Sequence, residues 1–333
     1  IKEKNIFAVL CNPAEGSESM YWMFKTIVLT EINQIDNFIV VTGGAVPPEI
    51  PHYYHEHFLP LIRDYDKNIA AIDEYQQNFK LHKPYKFLFL NGRMRVHRKY
   101  LLERFNHIGL LSQALWSNLD DGIPYRPKLL RYYINDDNVI ERPFPVQYLP
   151  PYYEVDRYRE SCAAATDNPV ALLNNKDLMS KRRLFWVSNG FEWGEIYLEA
   201  RPYLDTYFSL VTETVFDFSY SFRTEKIWKP IAIGHPWIAA TNAGFYRDIH
   251  DLGFKTFGHL IDESFDSIDN PQDRIERIAT VVEDLCQQDL DKFAVAAREV
   301  CVYNQQLHTE LSSKIYNEFP EKFSQFLNER FRI

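Results

Sequence analysis

The sequence predicts an α/β protein in which buried parallel strands alternate with helices. Two short apolar runs, residues 6–10 and Phe38–Thr42, each end at a polar or glycine turn, which is typical of buried parallel strands. A third stretch, residues 208–240, contains an apolar strand, a helix and a second apolar strand in succession. This order indicates a βαβ unit, and βαβ units build parallel sheets.

The first 84 residues predict a small α/β lobe. A helix over residues 21–32 joins the two strands, and Gly43-Gly44 forms the turn after the second strand. The glycine pair could cradle a phosphate. Because no G-x-G-x-x-G or G-K-[ST] pattern surrounds it, a simple turn is favoured.

A group of three histidines could in principle ligate a metal ion: His52, His55 and His57. Their spacing does not match the H-E-x-x-H pattern, so we expect a solvated or acceptor-facing helix start here and no metal ligands. The four cysteines are far apart and form no C-x-x-C pair. The cysteines therefore indicate neither a zinc site nor a redox dithiol.

A second α/β unit begins at Tyr85. Its strand over residues 87–90 ends at Asn91, a helix over residues 99–107 follows, and residues 114–117 form the next strand. Each strand is short and apolar, as expected for a sheet covered on both faces.

The turn after the strand over residues 87–90 concentrates positive charge. Arg93, Arg95 and Arg98 lie within six residues, beside a predicted helix N-terminus whose dipole attracts anions. Together with Asn91 they predict a phosphate-binding site. The alternative is an exposed basic turn that forms salt bridges with nearby acids.

Between residues 124 and 205 the hydrophobic periodicity weakens, and Pro-rich pieces alternate with short apolar runs. We expect an insertion there, with a strand at residues 184–187 and a helix around residues 195–204. The chain ends in two long amphipathic helices, and we expect the second to break between residues 311 and 314.

Chemistry-bearing side chains follow the strand predicted at residues 210–213. Glu213 ends this strand and should lie at the carboxyl edge of the sheet, where ligands of α/β proteins bind. Thr224 can cap the next helix, whose first turn carries Glu225 and Lys226. Carboxylates, a lysine and helix N–H groups at one edge suit a ligand that has phosphates and hydroxyls.

This arrangement carries a family resemblance. A strand ending in Glu213, then Thr224-Glu225-Lys226-Ile227, then a helix closed by Gly234-His235-Pro236, resembles the donor half of GT-B glycosyltransferases, particularly the α-1,3-fucosyltransferases. Bacterial and phage transferases of surface-polysaccharide assembly, including β-Kdo transferases with a CMP-linked donor, are similar at this level. The resemblance covers residues 85–251 with a gap. Fucosyltransferases usually carry Glu-Asn where this chain has Glu213-Thr214, so the donor sugar stays open.

The resemblance implies a GT-B-like fold of two Rossmann-like lobes with a cleft between them. Residues 1–84 would form the acceptor-side lobe, residues 85–320 the donor lobe with the insertion, and residues 321–333 a helix crossing back to the first lobe. The implied activity is transfer of a sugar, GDP-fucose-like or CMP-Kdo-like, to a glycan or glycolipid acceptor in surface polysaccharide or lipopolysaccharide synthesis. No metal or cofactor is implied beyond the nucleotide-sugar co-substrate.

The resemblance also assigns site residues. Glu213 is the expected catalytic residue, either facing developing positive charge or deprotonating the acceptor. Whether the sugar's configuration is inverted or retained stays open. The expected donor-binding residues follow two strands of one sheet: Asn91, Arg93, Arg95, Arg98, Arg223, Thr224, Glu225 and Lys226.

Composition narrows the function classes. The formal net charge of −9 argues against a general nucleic-acid binder. No apolar run is long enough to span a bilayer, so we expect a cytoplasmic protein, with peripheral contact to the inner face of the membrane left open. Two alternatives remain: a non-catalytic carbohydrate-binding or scaffold protein, and another enzyme that uses nucleotide sugars.

Overall fold

A computed structural model describes residues 8–14, 16, 18–31, 38–63, 66–91, 95–118 and 198–331. In these ranges the protein is α/β, with two sheets whose paired strands all run parallel. Arg93, the strand predicted at residues 184–187 and the beginning of the helix predicted around residues 195–204 lie outside the described residues.

The first sheet has the strand order β1-β2-β3. Its strands are β1 (Ala8–Asn12), β2 (Phe38–Thr42) and β3 (His52–Tyr54). Between β1 and β2 lie α1 (Glu18–Met23), a π-helical turn (Phe24–Val28) and α2 (Leu29–Glu31). The helix predicted at residues 21–32 is therefore confirmed over most of its length.

Strand β3 corrects the prediction for the histidine segment. We expected a helix start at residues 52–57, but His52–Tyr54 pairs in parallel with β2, and the helix α3 (Phe58–Leu61) begins later. The ladder continues on both sides, since Val40 N donates to Pro51 O at 2.9 Å and His55 N donates to Thr42 O at 2.8 Å. These bonds satisfy backbone groups that a helix start would leave without partners.

The second sheet has the strand order β5-β4-β6-β7. Its strands are β4 (Tyr85–Asn91), β5 (Ala114–Asn118), β6 (Thr206–Thr212) and β7 (Trp237–Ala240). The helices around it are α4 (Asp66–Gln77), α5 (Val96–His107), α6 (Ala200–Leu204) and α7 (Glu225–Ile233). All four strands were predicted from their apolar runs. Because β4 leads through α5 to β5 on one side and β6 lies on the other, the strand order reverses between β4 and β6.

The chain ends in the helices α8 (Phe245–Asp251), α9 (Pro271–Cys286) and α10 (Leu290–Phe331). The break predicted between residues 311 and 314 is wrong, because α10 is continuous there. Ser312 is buried in this stretch, and its hydroxyl donates to His308 O at 2.7 Å, as helical geometry requires. Nothing at these positions removes an N–H or forces a left-handed conformation.

The last turns of α10 contact the first sheet. The ring of Tyr53 on β3 lies 5.9, 5.3 and 5.4 Å, centroid to centroid, from the rings of Phe319, Phe323 and Phe326. These contacts are close to edge-on, the favourable geometry for aromatic pairs.

One hydrophobic core extends from the second sheet to helices near the start of the chain. Phe58 of α3 and Tyr75 of α4 are buried in the same cluster as Phe87 and Phe208 of the sheet. A smaller cluster that includes Phe24 and Val40 lies under the first sheet. Each fully buried Phe contributes about 1.5–3 kcal/mol relative to an exposed one. Because α3 and α4 pack in the same core as the second sheet, the packing does not mark a boundary at residue 84. The lobe boundary there therefore stays a prediction.

Candidate functional site

The candidate site lies at the carboxyl ends of β4 and β6, where the strand order reverses. Asn91 ends β4, and Glu213 directly follows β6. The Asn91 side-chain oxygen accepts a hydrogen bond from the Thr212 hydroxyl at 3.0 Å. In open parallel sheets the crevice at such a reversal is where ligands bind.

The first turn of α5 is bound to the end of β6. Arg98 Nη2 donates to Thr212 O at 2.7 Å and to Glu213 O at 3.3 Å. His97 Nε2 lies 3.1 Å from the same Glu213 oxygen and donates to it. Two stretches more than a hundred residues apart in sequence are thereby held at one edge of the sheet.

His97 is neutral in this environment. It is buried, and its ring stacks on Phe216 with centroids 4.7 Å apart. Burial lowers the pKa of His97 well below its usual range, and the charges of Arg98 and Arg95 lower it further. His97 is not predicted from the sequence, where its only signal is its place between Arg95 and Arg98 of the basic turn.

Arg95 lies at the N-cap position of α5 with extended backbone angles, φ −138° and ψ 159°. Its buried Nε atom has no hydrogen-bond partner among the described residues. A guanidinium at a helix N-terminus is repelled by the helix dipole, so this placement weakens stability unless an anion binds there. An anion bound there would give Arg95 Nε a hydrogen-bond partner.

Glu213 holds the loop that leads to α7. Its carboxylate Oε1 accepts from the Thr224 backbone N–H at 3.1 Å, and Oε2 accepts from the Thr224 hydroxyl at 2.7 Å. Oε2 also accepts from the Thr214 N–H at 3.2 Å. The Glu213 side chain has no solvent exposure. Burial raises the pKa of Glu213, although the Lys226 charge and the hydrogen bonds from Thr224 oppose that rise.

Thr224 caps α7 as the sequence predicted. Its hydroxyl oxygen accepts from the Lys226 backbone N–H at 3.3 Å and from Lys226 Nζ at 3.0 Å. The helix ends at Gly234, whose φ of 78° lies in the left-handed region that glycine adopts at no steric cost. The cap aims the N-terminal N–H groups of α7 at the same edge as α5.

Lys226 and Glu225 form an ion pair at this helix start. Lys226 Nζ lies 2.7 Å from Glu225 Oε1, and the Lys226 side chain keeps 30% of its exposure, while Glu225 keeps 8%. Burial alone would raise the pKa of Glu225, but the charge of Lys226 and its hydrogen bond lower it overall. Glu225 is therefore ionised at neutral pH, and Lys226 presents a partly exposed positive charge.

Arg223 points to the first sheet. Its Nη2 and Nε donate to Glu56 Oε2 at 2.7 and 2.9 Å, and Nη2 also donates to the Tyr54 hydroxyl at 2.5 Å. Trp228 Nε1 donates to the other oxygen of Glu56 at 3.2 Å. Both charged side chains are almost fully buried. The charge of Arg223 is thus neutralised by Glu56, a residue that sequence analysis did not single out.

The carboxyl edges of the two sheets meet through the loop before α7. The hydroxyl of Tyr220 donates to Gly16 O, and a Cβ atom on Gly16 would lie 2.5 Å from the ring of Phe222 and 2.7 Å from Gly44 Cα. Gly43 is similarly close to Pro13 O. The glycines after β1 and β2 are therefore needed for close backbone approach, which agrees with the turn favoured from sequence.

Of the predicted site residues, the structure brings seven to the edge formed by β4 and β6. They are Asn91, Arg95, Arg98, Glu213, Thr224, Glu225 and Lys226. Arg223 is directed to the first sheet, and Arg93 lies outside the described residues. Among described residues no group of His, Cys, Asp and Glu side chains has a metal-binding arrangement.

Comparison of the chain with protein-family models, with curated proteins and with solved structures gives no match. The GT-B resemblance therefore rests on the sequence motif alone. None of the helices in the described ranges combines the length and the apolar character that crossing a bilayer requires.

Proposed function

We propose that the protein is a glycosyltransferase with a GT-B-like arrangement, which moves a sugar from a nucleotide-sugar donor to a glycan acceptor. The observation that carries this proposal is the bonded connection from α5 through Glu213 to the N-cap of α7. His97 and Arg98 bind the Glu213 carbonyl, and the Glu213 carboxylate binds Thr224. Two helix N-termini therefore converge at the reversal of strand order.

The donor phosphates would lie between these helix starts. Arg95 brings an Nε atom without an acceptor among the described residues, and Lys226 brings a partly exposed ammonium. Together with backbone N–H groups, these cations would stabilise the charge that develops on the departing phosphate without a metal. The nucleotide can be GDP-like or CMP-like, since both present phosphate oxygens to such donors.

The two glutamates would have different roles. Glu213 has no solvent exposure, and its carboxylate accepts hydrogen bonds from Thr224 and Thr214. We therefore assign Glu213 to positioning the loop and the cap of α7. The catalytic role expected for Glu213 from the sequence stays a prediction, which the turnover of Glu213 variants tests. Glu225 is ionised beside Lys226 and would accept hydrogen bonds from donor hydroxyls.

The acceptor would enter from the side of the first sheet. The carboxyl edge of that sheet meets the loop before α7 at Gly16 and at the pair of Glu56 with Arg223. Ligand sites commonly lie where two such units meet, so a donor on one sheet and an acceptor on the other would be neighbours. Surface polysaccharide or lipopolysaccharide synthesis is the process we propose for such an acceptor.

A second candidate function is nucleotide-sugar binding without turnover. The burial of Glu213 favours it, because the carboxylate expected to do the chemistry makes no contact with solvent. Under this alternative the phosphate site would remain intact while no sugar is transferred.

The test begins with thermal-shift titrations of GDP, CMP, UDP and NAD. We expect stabilisation by one of the first three nucleotides, and we expect it to be lost in Arg95→Gln but kept in Lys99→Ala, a solvent-facing change on the same helix. Stabilisation by NAD alone would contradict the proposal.

A second measurement separates the two candidate functions. The nucleotide that stabilises the protein identifies the donor class, and release of that nucleotide from sugar donors is then followed with and without glycan acceptors. Release that depends on acceptor supports the transferase. Tight binding without release supports the non-catalytic alternative.

A further inference from the structure

A second group of cations lies at the opposite, amino edge of the second sheet. Lys83 comes two residues before β4, and Arg298 lies on α10. Both line a cavity that also contacts Thr206 and Pro236, at the starts of β6 and β7. This cavity is therefore separated by the length of the sheet from the candidate donor site.

Lys83 is buried, and none of the described residues accepts a hydrogen bond from its ammonium. Its side chain is 5% exposed, and Nζ has no partner within the described ranges. The ammonium lies 4.6 Å from the ring centroid of Phe79 and 5.6 Å from that of Tyr75. Such cation–π contacts offset part of the desolvation cost, yet a buried charge without hydrogen bonds remains unfavourable.

The pKa of Lys83 is lowered, as expected for a buried ammonium that forms no hydrogen bond with a described residue. Burial lowers the pKa of Lys83 to about 8, Asp205 opposes this effect, and Arg298 adds to it. The negative end of the α7 dipole at Gly234 favours cations nearby, but no carbonyl oxygen in the described chain accepts from Lys83 Nζ.

Arg298 adds a second positive charge to the same cavity. Its guanidinium carbon lies 4.7 Å from the Phe79 ring centroid, so Phe79 contacts both cations. None of the described residues that line the cavity carries a carboxylate. The hydroxyl of Tyr207 donates to Asp291 at 2.5 Å and accepts from the Lys83 backbone N–H at 3.1 Å, but not from Lys83 Nζ.

We propose that this cavity binds a small monovalent anion, either a halide or the carboxylate group of a small molecule, between Lys83 and Arg298. The cavity has about 10 Å³ of space for a water-sized species and opens to solvent, so it takes one small anion or the carboxylate end of a molecule that extends out of the mouth. A bound anion would supply the acceptor that Lys83 lacks and would offset the repulsion between the two cations. The site is independent of the proposed glycosyl transfer, because α7 separates it from the helix starts where the phosphates would bind.

The test uses the full chain at constant ionic strength, with sodium isethionate, a sulfonate salt that supplies neither halide nor carboxylate, replaced stepwise by sodium chloride or sodium acetate. We expect a saturable rise of the melting temperature in at least one of the two series, since a ligand that binds only the folded state stabilises it. A response to chloride identifies a halide site, and a response to acetate alone identifies a carboxylate site.

Variants assign the effect to the cavity. Lys83→Met removes the charge and keeps the aliphatic chain, so the anion-dependent rise should disappear, whereas Lys80→Met, an exposed change in the same segment, should keep it. Equal anion dependence in the wild type and in Lys83→Met would overturn the proposal. So would the absence of any saturable rise, which would leave only water in the cavity.

A measurement on the wild type keeps the proposal testable if Lys83→Met does not fold. The pKa of Lys83, about 8 in the structure, is followed by NMR of the lysine side chains in isethionate and then in the stabilising anion. A bound anion favours the charged amine, so the pKa should rise. An unchanged pKa would contradict anion binding.

Discussion

The carboxylate of Glu213 accepts hydrogen bonds from both the backbone N–H and the hydroxyl of Thr224, at 3.1 and 2.7 Å, across eleven residues of sequence. The intervening loop is thus closed at its base by one buried side chain. This loop carries Tyr220 and Phe222, which pack against Gly16, in the segment that follows β1 of the first sheet. The position of α7 and the meeting of the two sheets therefore depend on the same carboxylate.

Substitution of Glu213 should separate positioning from catalysis. Glu213→Ala removes the acceptor of buried donors, and we expect a loss of about 2–4 kcal/mol in the free energy of unfolding. Glu213→Gln keeps an acceptor oxygen for Thr224 and should cost about 1 kcal/mol. Urea unfolding measures both, with Glu103→Ala on the exposed side of α5 as the control.

Turnover of the same variants distinguishes the two roles. If Glu213 positions α7, Glu213→Gln should retain most of the activity that Glu213→Ala loses. A stable, folded Glu213→Gln protein without activity would instead restore the catalytic role expected from sequence.

The buried pair of Glu56 with Arg223 should be strongly coupled. Glu56→Gln leaves the Arg223 guanidinium buried without its counter-charge, and the expected loss of stability is about 3–5 kcal/mol. The exposed pair of Arg277 with Asp262 is the matched control, and Asp262→Asn should cost no more than about 1 kcal/mol. Chemical denaturation measures both losses, and losses of similar size would contradict the burial of the first pair.

Local signals were sufficient to predict several parts of the site. The Thr224 cap, the Gly234 helix end and the apolar run of β6 each depend on a few consecutive residues. The structure has the cap and the helix end where the sequence placed them, and β6 (Thr206–Thr212) begins four residues before the predicted strand and ends at Thr212. Backbone propensity and capping chemistry act over one or two turns, so a single sequence contains the information.

Long-range pairs could not be predicted in the same way. Glu56 and Arg223 are 167 residues apart, and Arg98 reaches the Thr212 carbonyl across 114 residues. Which charge neutralises which depends on how the two sheets meet, and no periodicity contains that information. The assignment of Arg223 to donor binding followed from its neighbours in sequence, whereas its contacts are with the first sheet. Strand β3 was missed for a similar reason, because its ladder with β2 depends on a neighbour rather than on its own three residues.

The close approach of the two sheets should make Gly16 intolerant of a side chain. In Gly16→Ala the new Cβ atom would meet the Phe222 ring at 2.5 Å and the Gly44 backbone at 2.7 Å. Overpacking of this kind costs about 1–3 kcal/mol. Thermal or urea unfolding measures the loss, and adding Phe222→Leu to Gly16→Ala should recover part of it, because only the backbone contact would remain. Unchanged stability in Gly16→Ala would mean that the loops are further apart.

His235 should make stability depend on acid. It is buried, Nδ1 accepts from the Ser209 hydroxyl at 3.0 Å, and Nε2 donates to Thr206 O at 2.8 Å, so both nitrogens are used in the neutral form. Burial lowers the pKa of His235 from 6.5 to about 3, and the Lys83 charge adds to this effect.

The sign follows from which state binds the proton. Above pH 6.5 both states are neutral at His235, and between pH 6.5 and about 3 only the unfolded state is protonated, so stability falls as the pH falls through this window. The slope from this one group is about 1.4 kcal/mol per pH unit. In His235→Asn the unfolding free energy should fall less steeply between pH 6 and about 4. Equal slopes would show that His235 does not remain neutral in the folded protein.

Lys226 should contribute to nucleotide affinity much more than its neighbours on the surface. Its Nζ is held between Thr224 and Glu225 at 3.0 and 2.7 Å, so it is fixed in place at the start of α7. Loss of a charged hydrogen bond to phosphate costs about 1.5–3 kcal/mol, and Lys226→Ala should raise the nucleotide Kd roughly 10- to 100-fold. Lys226→Arg should recover part of the affinity, and Lys99→Ala should leave it unchanged. Isothermal titration calorimetry well below the melting temperature measures Kd without interference from the lower stability of Lys226→Ala. If all three variants bound equally well, the phosphates would not lie at the start of α7.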